Sequence, residues 1–207
     1  MSSKENLSLI TTYPQLKEFI TLEGIGEPRN TEFKNGNDWE YLKFKITRAL
    51  IGLSNLEYGG KVILGIKENT ADSNPFVGMT LVQSDTYTLD KIKEFVNEYA
   101  DPPLEIKLHK IDDDSGKYFL VINVLEFSEI PTICKKDGDD GLLQRNKIYI
   151  RPKKKTETSD NFSHHDMREL LDLATEKHHK RQLKIHEKFK KLEETSKTKF
   201  DEEVSDF

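Results

Sequence analysis

The stretch GEPRNTEFK, residues 26–34, holds two carboxylates, Glu27 and Glu32, five positions apart on either side of a proline. Carboxylates held close together repel each other, so they are stable as ions only beside a compensating cation. In a straight strand, residues five apart point to opposite faces of a sheet. Pro28 biases the residue before it toward an extended conformation. A turn at Pro28 would bring Glu27 back beside Glu32, and the two acids are then either a paired functional site or ordinary solvated acids at a strand edge; the stretch alone does not decide between these.

A second chemical feature is the basic segment RNKIYIRPKKK, residues 145–155, which holds six Lys or Arg side chains and one tyrosine. Such a segment can neutralise phosphates, and an aromatic ring within it can stack on a base. The alternative is a mobile, solubilising loop, and the segment alone does not decide between the two. Lys34 would share a strand face with Glu32, where it binds phosphate or orients that carboxylate. The predicted nucleic-acid contacts are Lys34, Arg145, Lys147, Tyr149, Arg151, Lys153, Lys154 and Lys155.

Composition limits the class of protein. The 207 residues are enough for one domain with a full core and an appendage. No apolar run approaches the length of a membrane span, and the N-terminus lacks a basic region followed by an apolar one, so we expect a cytoplasmic protein. The single cysteine, Cys134, excludes an internal disulfide framework and fits a reducing compartment. No local motif marks it as a catalytic thiol.

The net charge of −5 is unevenly distributed along the chain. Residues 1–150 carry 18 basic and 24 acidic side chains, whereas residues 151–200 carry 14 basic and 9 acidic ones. The final seven residues, DEEVSDF, add four acids. The overall acidity therefore does not exclude a nucleic-acid partner, because the basic residues are concentrated toward the C-terminal end.

The order of elements follows from apolar spacing and turn residues. Apolar residues recur at spacings of three and four in several segments, which predicts helices. These segments are 13–22, a helix from Trp39 to near SNLEYGG with Asn37 or Asp38 as cap, 89–99, and one or two charged helices over about 163–196. Apolar runs bounded by turn formers predict strands. These are KVILGI, the hairpin strands LEIKLHKI and YFLVINVLEF, and a final strand KIYIR.

Interspersed helices and strands with one antiparallel hairpin predict an α+β fold: a mixed β-sheet flanked by helices, with a charged C-terminal helical extension. We expect the domain to span residues 1–175. In its last helix, Met167, Leu170, Leu171 and Ala174 can pack on the body. Residues 176–207 form the charged helical extension and acidic tail, where apolar residues are scattered.

Several motifs together resemble the Schlafen AlbA-2 domain. They are EPRNTEFK, the amphipathic helix after it, ALIGLSNLEYGGKVILGIKEN, and a later YIRP. The resemblance covers roughly residues 13–175 and is strongest over 27–68. Two departures stand out: an extra residue precedes Gly59 and Gly60, and Lys67 occupies the first of the family's two acidic positions after the strand.

The resemblance implies a nucleic-acid-binding domain and, in the Schlafen branch, a metal-dependent endoribonuclease that cuts transfer RNA or other structured RNA. The catalytic and metal-binding carboxylates it implies are Glu27, Glu32 and Glu68, the last where the family usually has aspartate. Oxygen-only ligands favour Mg²⁺ or Mn²⁺. Such an ion would polarise the scissile phosphate and activate a water or ribose hydroxyl.

Other functions are left open at this point. One alternative is a non-catalytic DNA- or RNA-binding module of a regulatory or defence system. A weaker one is a protein-interaction component that uses the charged C-terminal helix. Animal Schlafen cores hold two related lobes, whereas this chain carries one copy of the pattern, so the resemblance also implies a homodimer that regenerates the two-lobed cleft.

Overall fold

The computed structural model describes residues 9–23, 28–67, 74–139, 141–153 and 157–205, with side chains described as far as Leu192. It has the predicted α+β fold. The helices are α1 (Tyr13–Glu23), α2 (Trp39–Ser54), α3 (Leu81–Asp85), α4 (Leu89–Tyr99) and α5 (His164–Ser205). The strands are β1 (Thr31–Lys34), β2 (Gly60–Leu64), β3 (Ala100–Asp101), β4 (Ile106–Asp112), β5 (Tyr118–Val124), β6 (Ile133–Cys134) and β7 (Lys147–Ile148).

The central sheet is mixed, as predicted, with strand order β1-β2-β5-β4. β1 runs parallel to β2, whereas β2 and β4 are both antiparallel to β5. The predicted hairpin is the β4–β5 pair. β1 therefore lies at one edge of the sheet and β4 at the other, so any site built on β1 is open on one side.

Helices cover both faces of this sheet. Alternate residues of each strand point to opposite faces, so neighbours on β2 enter different cores. Val62 packs in the larger core with α2 and α4, and Ile63 packs in the smaller core with α1. Among the described residues no helix is long and apolar enough to cross a membrane.

The glycine pair between α2 and β2 permits a close approach. Gly59 has φ of +72°, in the left-handed region that glycine adopts without a Cβ penalty. A Cβ at Gly60 would lie 2.6 Å from the carbonyl oxygen of Asn30 and 2.6 Å from Cδ2 of Leu53. Only a residue without a side chain lets the end of α2 and the start of β1 meet here.

A second, three-stranded sheet of order β3-β6-β7 was not predicted. The expected final strand KIYIR is shorter in the structure, because only Lys147–Ile148 pairs as β7, with β6. Asn55, at the C-terminal end of α2, connects to this region: its Nδ2 donates to the carbonyl oxygens of Thr132 (2.8 Å) and Tyr149 (2.9 Å). Its Oδ1 accepts from the amide of Thr132 at 2.8 Å.

The C-terminal segment is one helix, α5, rather than two. Its first turns pack on the body, where Leu170 and Leu173 are buried with Phe127 and Ile150. The prediction that Leu171 packs on the body was wrong, since its side chain is 55% exposed. A single helix presents only one face to the body, and Leu171 lies off that face.

We expect Asn55→Ala to lower the free energy of unfolding by about 3 kcal/mol, because it leaves buried backbone groups of Thr132 and Tyr149 without their partner. Chemical denaturation followed by circular dichroism measures this change. Asn161→Ala, at an exposed asparagine, is the matched control and should be close to neutral. Equal effects of the two substitutions would contradict the role assigned to Asn55.

Candidate nucleic-acid interface

Edge strand β1 positions Glu32. A turn precedes the strand, in which the amide of Thr31 donates to the carbonyl oxygen of Pro28 at 2.9 Å. Glu32 is then in register with Val62 of β2, on the side of the sheet covered by α2. The residue is only 8% exposed, although it lies on an edge strand. A carboxylate at this depth needs partners that replace water.

Two cations supply those partners. Arg151, which is 0% exposed, donates from Nη1 to Oε2 of Glu32 and from Nη2 to the carbonyl oxygen of Thr31 at 2.8 Å. Lys34 donates from Nζ to Oε1 of the same carboxylate. Of the two roles predicted for Lys34, this contact supports that of orienting Glu32. Removing either partner would leave Glu32 poorly compensated, since an unpaired buried charge is strongly destabilising.

The ion pair is linked to α5 through a third basic residue. Arg29 donates from Nε to the carbonyl oxygen of Arg151 at 2.7 Å, and its Nη1 lies 2.8 Å from Oε1 of Glu169. The hydrogen bond from Arg29 holds the pKa of the Glu169 carboxyl below its ordinary value. β1, the segment around Arg151 and the first turns of α5 are thereby joined in one polar network.

A cleft of about 550 Å³ opens beside Glu32, between β1 and α2. Lys34 lines it from β1, and Lys45 and Arg48 line it from α2. Tyr41, also in the lining, is 67% exposed, with Nζ of Lys45 5.6 Å from its ring centroid. The cleft therefore combines cationic groups with an accessible aromatic ring, the two features that recognise a nucleic-acid strand.

The sequence predictions missed Tyr41, Lys45 and Arg48. They recur at spacings of four and three along α2, so they follow the polar face of the helix beside its apolar stripe. That spacing was available in the sequence. The spacing is less conspicuous there because Leu42, Phe44 and Ile46 are interleaved, whereas residues 145–155 hold six Lys or Arg in eleven positions.

The predicted basic segment is divided between the core and the surface. Tyr149 is 1% exposed; its hydroxyl donates to the carbonyl oxygen of Leu142 at 3.1 Å and accepts from the amide of Gln144 at 2.8 Å. Burial raises the pKa of the Tyr149 hydroxyl. The prediction that this ring stacks on a base is therefore corrected, because neighbouring chain covers it. The prediction that Arg151 contacts a phosphate is also corrected, because this side chain is buried against Glu32.

Three other basic residues of the segment lie at the surface, and two of them have acidic neighbours. Arg145, Lys147 and Lys153 are exposed. Nζ of Lys147 lies 3.2 Å from Asp160, and Nζ of Lys153 lies 3.6 Å from Glu169. Lys154 and Lys155 lie outside the described residues. Phosphate contacts by this surface group stay a prediction.

Of the three carboxylates predicted to form a metal site, Glu32 is the one that lies among the described residues. Glu27 and Glu68 lie outside the described residues, so the structure does not test whether they approach Glu32. In the part of the chain that is described, no group of three His, Cys, Asp or Glu is placed to hold a metal. The carboxylate of Glu32 is the donor type that Mg²⁺ or Mn²⁺ prefers. Each of its oxygens already accepts from a cation, so a metal bound there would share the carboxylate with Lys34 and Arg151.

Comparison with known proteins places this chain in a family. The family model described as Schlafen, AlbA_2 matches residues 27–160, more than half of the chain. The chain belongs to the Schlafen AlbA_2 family. Membership indicates a nucleic-acid-binding domain. The matched residues include all of the cleft lining, and α5 begins just beyond them.

Solved structures give weaker likenesses to this AlbA_2 domain. The DIP2311 protein from Corynebacterium diphtheriae is 14% identical with a TM-score of 0.39; the match covers 59% of this chain and 20% of that one. The N-terminal domain of a putative ATP-dependent DNA helicase RecG-related protein from Nitrosomonas europaea is 17% identical with a TM-score of 0.41, covering 59% and 80%. The match thus spans one fifth of the first protein's length. No curated protein matches the chain.

We expect Arg151→Met to lower the free energy of unfolding by about 3–5 kcal/mol, because it leaves Glu32 buried beside only one cation. Adding Glu32→Gln should recover part of that loss, since the uncompensated charge is then gone. Urea denaturation of both single variants and the double variant measures the coupling. Arg145→Met, at an exposed arginine, is the control. Strictly additive effects at positions 32 and 151 would show that the pair is not coupled.

Proposed function

We propose that this AlbA_2 domain binds RNA, with the sugar-phosphate backbone lying in the cleft between β1 and α2. The observation that supports this most is the convergence of Lys34, Lys45 and Arg48 on one cleft that also exposes Tyr41. Cationic side chains release counterions from a phosphate backbone, which supplies most of the sequence-independent affinity. A base splayed out of the strand can stack on Tyr41.

Electrostatic balance within the cleft supports the same function. Glu32 would repel a phosphate if its charge were uncompensated, but Lys34 and Arg151 both contact it. Among the described lining residues, Lys45 and Arg48 on the opposite wall are then the dominant charges, with Glu157 as an exposed acidic residue. A strand in the cleft therefore meets a net attractive field.

A second candidate function is metal-dependent cleavage of transfer RNA or other structured RNA. It is favoured by the position of Glu32 in the cleft wall, where a bound phosphate would lie near a carboxylate. Glu27 and Glu68 would complete the ligand set for Mg²⁺ or Mn²⁺, which when bound would stabilise the developing charge on the phosphate. In this reading Lys34 and Arg151 would orient Glu32 as a ligand.

Binding without cleavage is the function that the described residues support better. Both oxygens of Glu32 are engaged by cations in the geometry described here, and the cationic wall of α2 suffices to hold a backbone. A homodimer that joins two copies of the cleft would lengthen the bound strand, as expected for a chain with one copy of the pattern.

Substitutions in the cleft test the binding proposal. Lys45→Ala should weaken RNA binding and reduce the slope of log K against log salt by about one unit, because one phosphate contact is lost. Tyr41→Ala should weaken binding by about tenfold with little change in slope, since stacking releases no counterion. Fluorescence anisotropy with a labelled transfer RNA at several salt concentrations measures both.

The matched control for these variants is Lys107→Ala. Lys107 is exposed on β4, at the opposite edge of the sheet from β1. Its loss changes the net charge of the protein by the same amount as Lys45→Ala. If Lys107→Ala alters affinity and salt slope as much as Lys45→Ala does, binding follows overall charge and the cleft is not the site.

Glu32→Gln separates binding from cleavage. If the domain is a nuclease, the wild-type protein cleaves transfer RNA in Mg²⁺ or Mn²⁺ but not in EDTA, and Glu32→Gln abolishes cleavage while retaining RNA binding. Glu157→Gln, at an exposed acid in the same cleft, is the control and should keep activity. Gel assays measure cleavage, and thermal unfolding checks that the variant is folded. A wild-type protein that binds RNA without metal-dependent cleavage is a binding module, and equal cleavage by Glu32→Gln would contradict the carboxylate site.

A further inference from the structure

The side chains with which α2 lines the cleft form one row along the helix. Tyr41, Lys45 and Arg48 recur at spacings of four and three, and Gly52 continues that spacing. At 100° and 1.5 Å per residue, all four positions fall within an arc of about 60°, and the last three lie about 6, 11 and 17 Å along the helix from Tyr41. The row therefore leads from the exposed ring of Tyr41 to the glycine near the end of α2.

The segment that carries Thr158 closes this row at Gly52. A Cβ at Gly52 would lie 2.5 Å from Cγ2 of Thr158, so the chain crosses the helix in direct contact there. An antiparallel bridge between Ile150 and Ser159 holds the crossing segment in place. The last turn of α2 is buried throughout. An RNA strand that enters beside Tyr41 and follows α2 meets this crossing as the closed end of the cleft.

Polar groups without partners lie at this closed end. Nε of Arg48 and Oγ1 of Thr158 are buried, and neither has a hydrogen-bond partner among the described residues. The guanidinium of Arg48 packs over the ring of Tyr149, and nearby Asp160 pairs instead with Nζ of Lys147 at 3.2 Å. Buried polar groups in native proteins are nearly always hydrogen-bonded. These donors therefore call for an acceptor that the described residues do not supply.

The charge at the closed end favours an anionic acceptor. Lys45 lies one turn before Arg48 on the same face of α2, so two cations line this part of the cleft. The carboxylate of Glu32 in the facing wall is already compensated. Glu157 is exposed, so water and salt screen its charge. A group bound here must accept hydrogen bonds and carry negative charge.

From the closed end and its unpartnered donors we propose that the cleft receives a terminal phosphate monoester of an RNA strand, seated between Arg48 and Thr158. This inference rests on the proposed RNA binding and adds which part of the RNA the cleft selects. A monoester offers three free oxygens and up to about two negative charges near neutral pH. The forked donors of Arg48 match such oxygens, and the hydroxyl of Thr158 donates to another.

An internal phosphodiester is a poorer occupant of the closed end. It has one free oxygen and up to one charge fewer, and the strand on both sides of it would have to leave through the open side of the cleft. The volume of about 550 Å³ is typical of a site for a small ligand, which suits the end of a strand better than a duplex. With the terminal phosphate at Arg48, Lys45 is placed for the next phosphate and Tyr41 for a base.

Binding of matched RNAs to the full chain tests the proposal. One internally labelled single-stranded RNA is prepared with a 5′-phosphate, with a 3′-phosphate and with hydroxyls at both ends, and fluorescence anisotropy gives the Kd of each. A phosphate on at least one end should tighten binding by about tenfold, because it adds charge-assisted hydrogen bonds. The form that gains shows which end the cleft receives. The same sequence closed into a circle has no end and should bind like the hydroxyl form.

Variants locate the seat of the phosphate through the ratio of the Kd values for the hydroxyl and phosphorylated forms. Partial unfolding of a sample weakens both forms alike and leaves this ratio unchanged. Thr158→Val removes the hydroxyl at similar volume and should reduce the ratio to about threefold or less, whereas Thr158→Ser should keep it. Arg48→Lys retains the charge without the fork and should also reduce the ratio. Lys107→Ala, at the far edge of the sheet, is the control and should leave it unchanged.

The possible failures are distinguishable. If the hydroxyl form or the circle binds as tightly as both phosphorylated forms, the end is not selected, and this proposal falls while the proposed RNA binding stands. A preference that survives both Thr158→Val and Arg48→Lys would also overturn it, since the terminal phosphate would then bind elsewhere. A chain that binds none of these RNAs would overturn both proposals.

Discussion

The buried contact between Arg151 and Glu32 is the constraint on which the candidate site depends. Burying a guanidinium and a carboxylate removes two charges from water, which is tolerated only when each is paired and hydrogen-bonded. Arg151 meets that condition by donating to Glu32 and to the carbonyl oxygen of Thr31, while Lys34 takes the other oxygen of the carboxylate. The same arginine accepts at its carbonyl oxygen from Arg29, so β1 and α5 are fixed relative to each other.

The cleft follows from this constraint. The charge of Glu32 is compensated from within the protein, so this carboxylate on β1 does not repel phosphate. Lys45 and Arg48 on α2 then give the described lining of the cleft its positive charge. Arg48 packs over the ring of Tyr149 with its guanidinium carbon 5.1 Å from the ring centroid. The buried tyrosine that was expected to stack on a base therefore supports one of the cationic groups of the cleft instead.

Local periodicity explains which elements could be predicted. The spacing of apolar residues in α2 and α4, the alternation at the start of β4 and the continuous apolar run of β5 reflect burial within single elements, so the sequence alone indicated them. The second sheet could not be read in this way, because β3, β6 and β7 have two residues each and depend on contacts between distant segments. Arg151 lies in a basic run that resembles a surface loop, and arginine is almost never fully buried unless paired. Its burial follows only from the three-dimensional position of Glu32.

Nucleic acid is proposed to lie in the cleft between β1 and α2. Hydrogen–deuterium exchange of the domain with and without RNA tests this position most directly. The account predicts that RNA slows amide exchange around residues 34–48 and 157–158 and leaves β4, at the far edge of the sheet, unchanged. Protection confined to the exposed part of α5 or to residues 145–153, with none in the cleft, would contradict it.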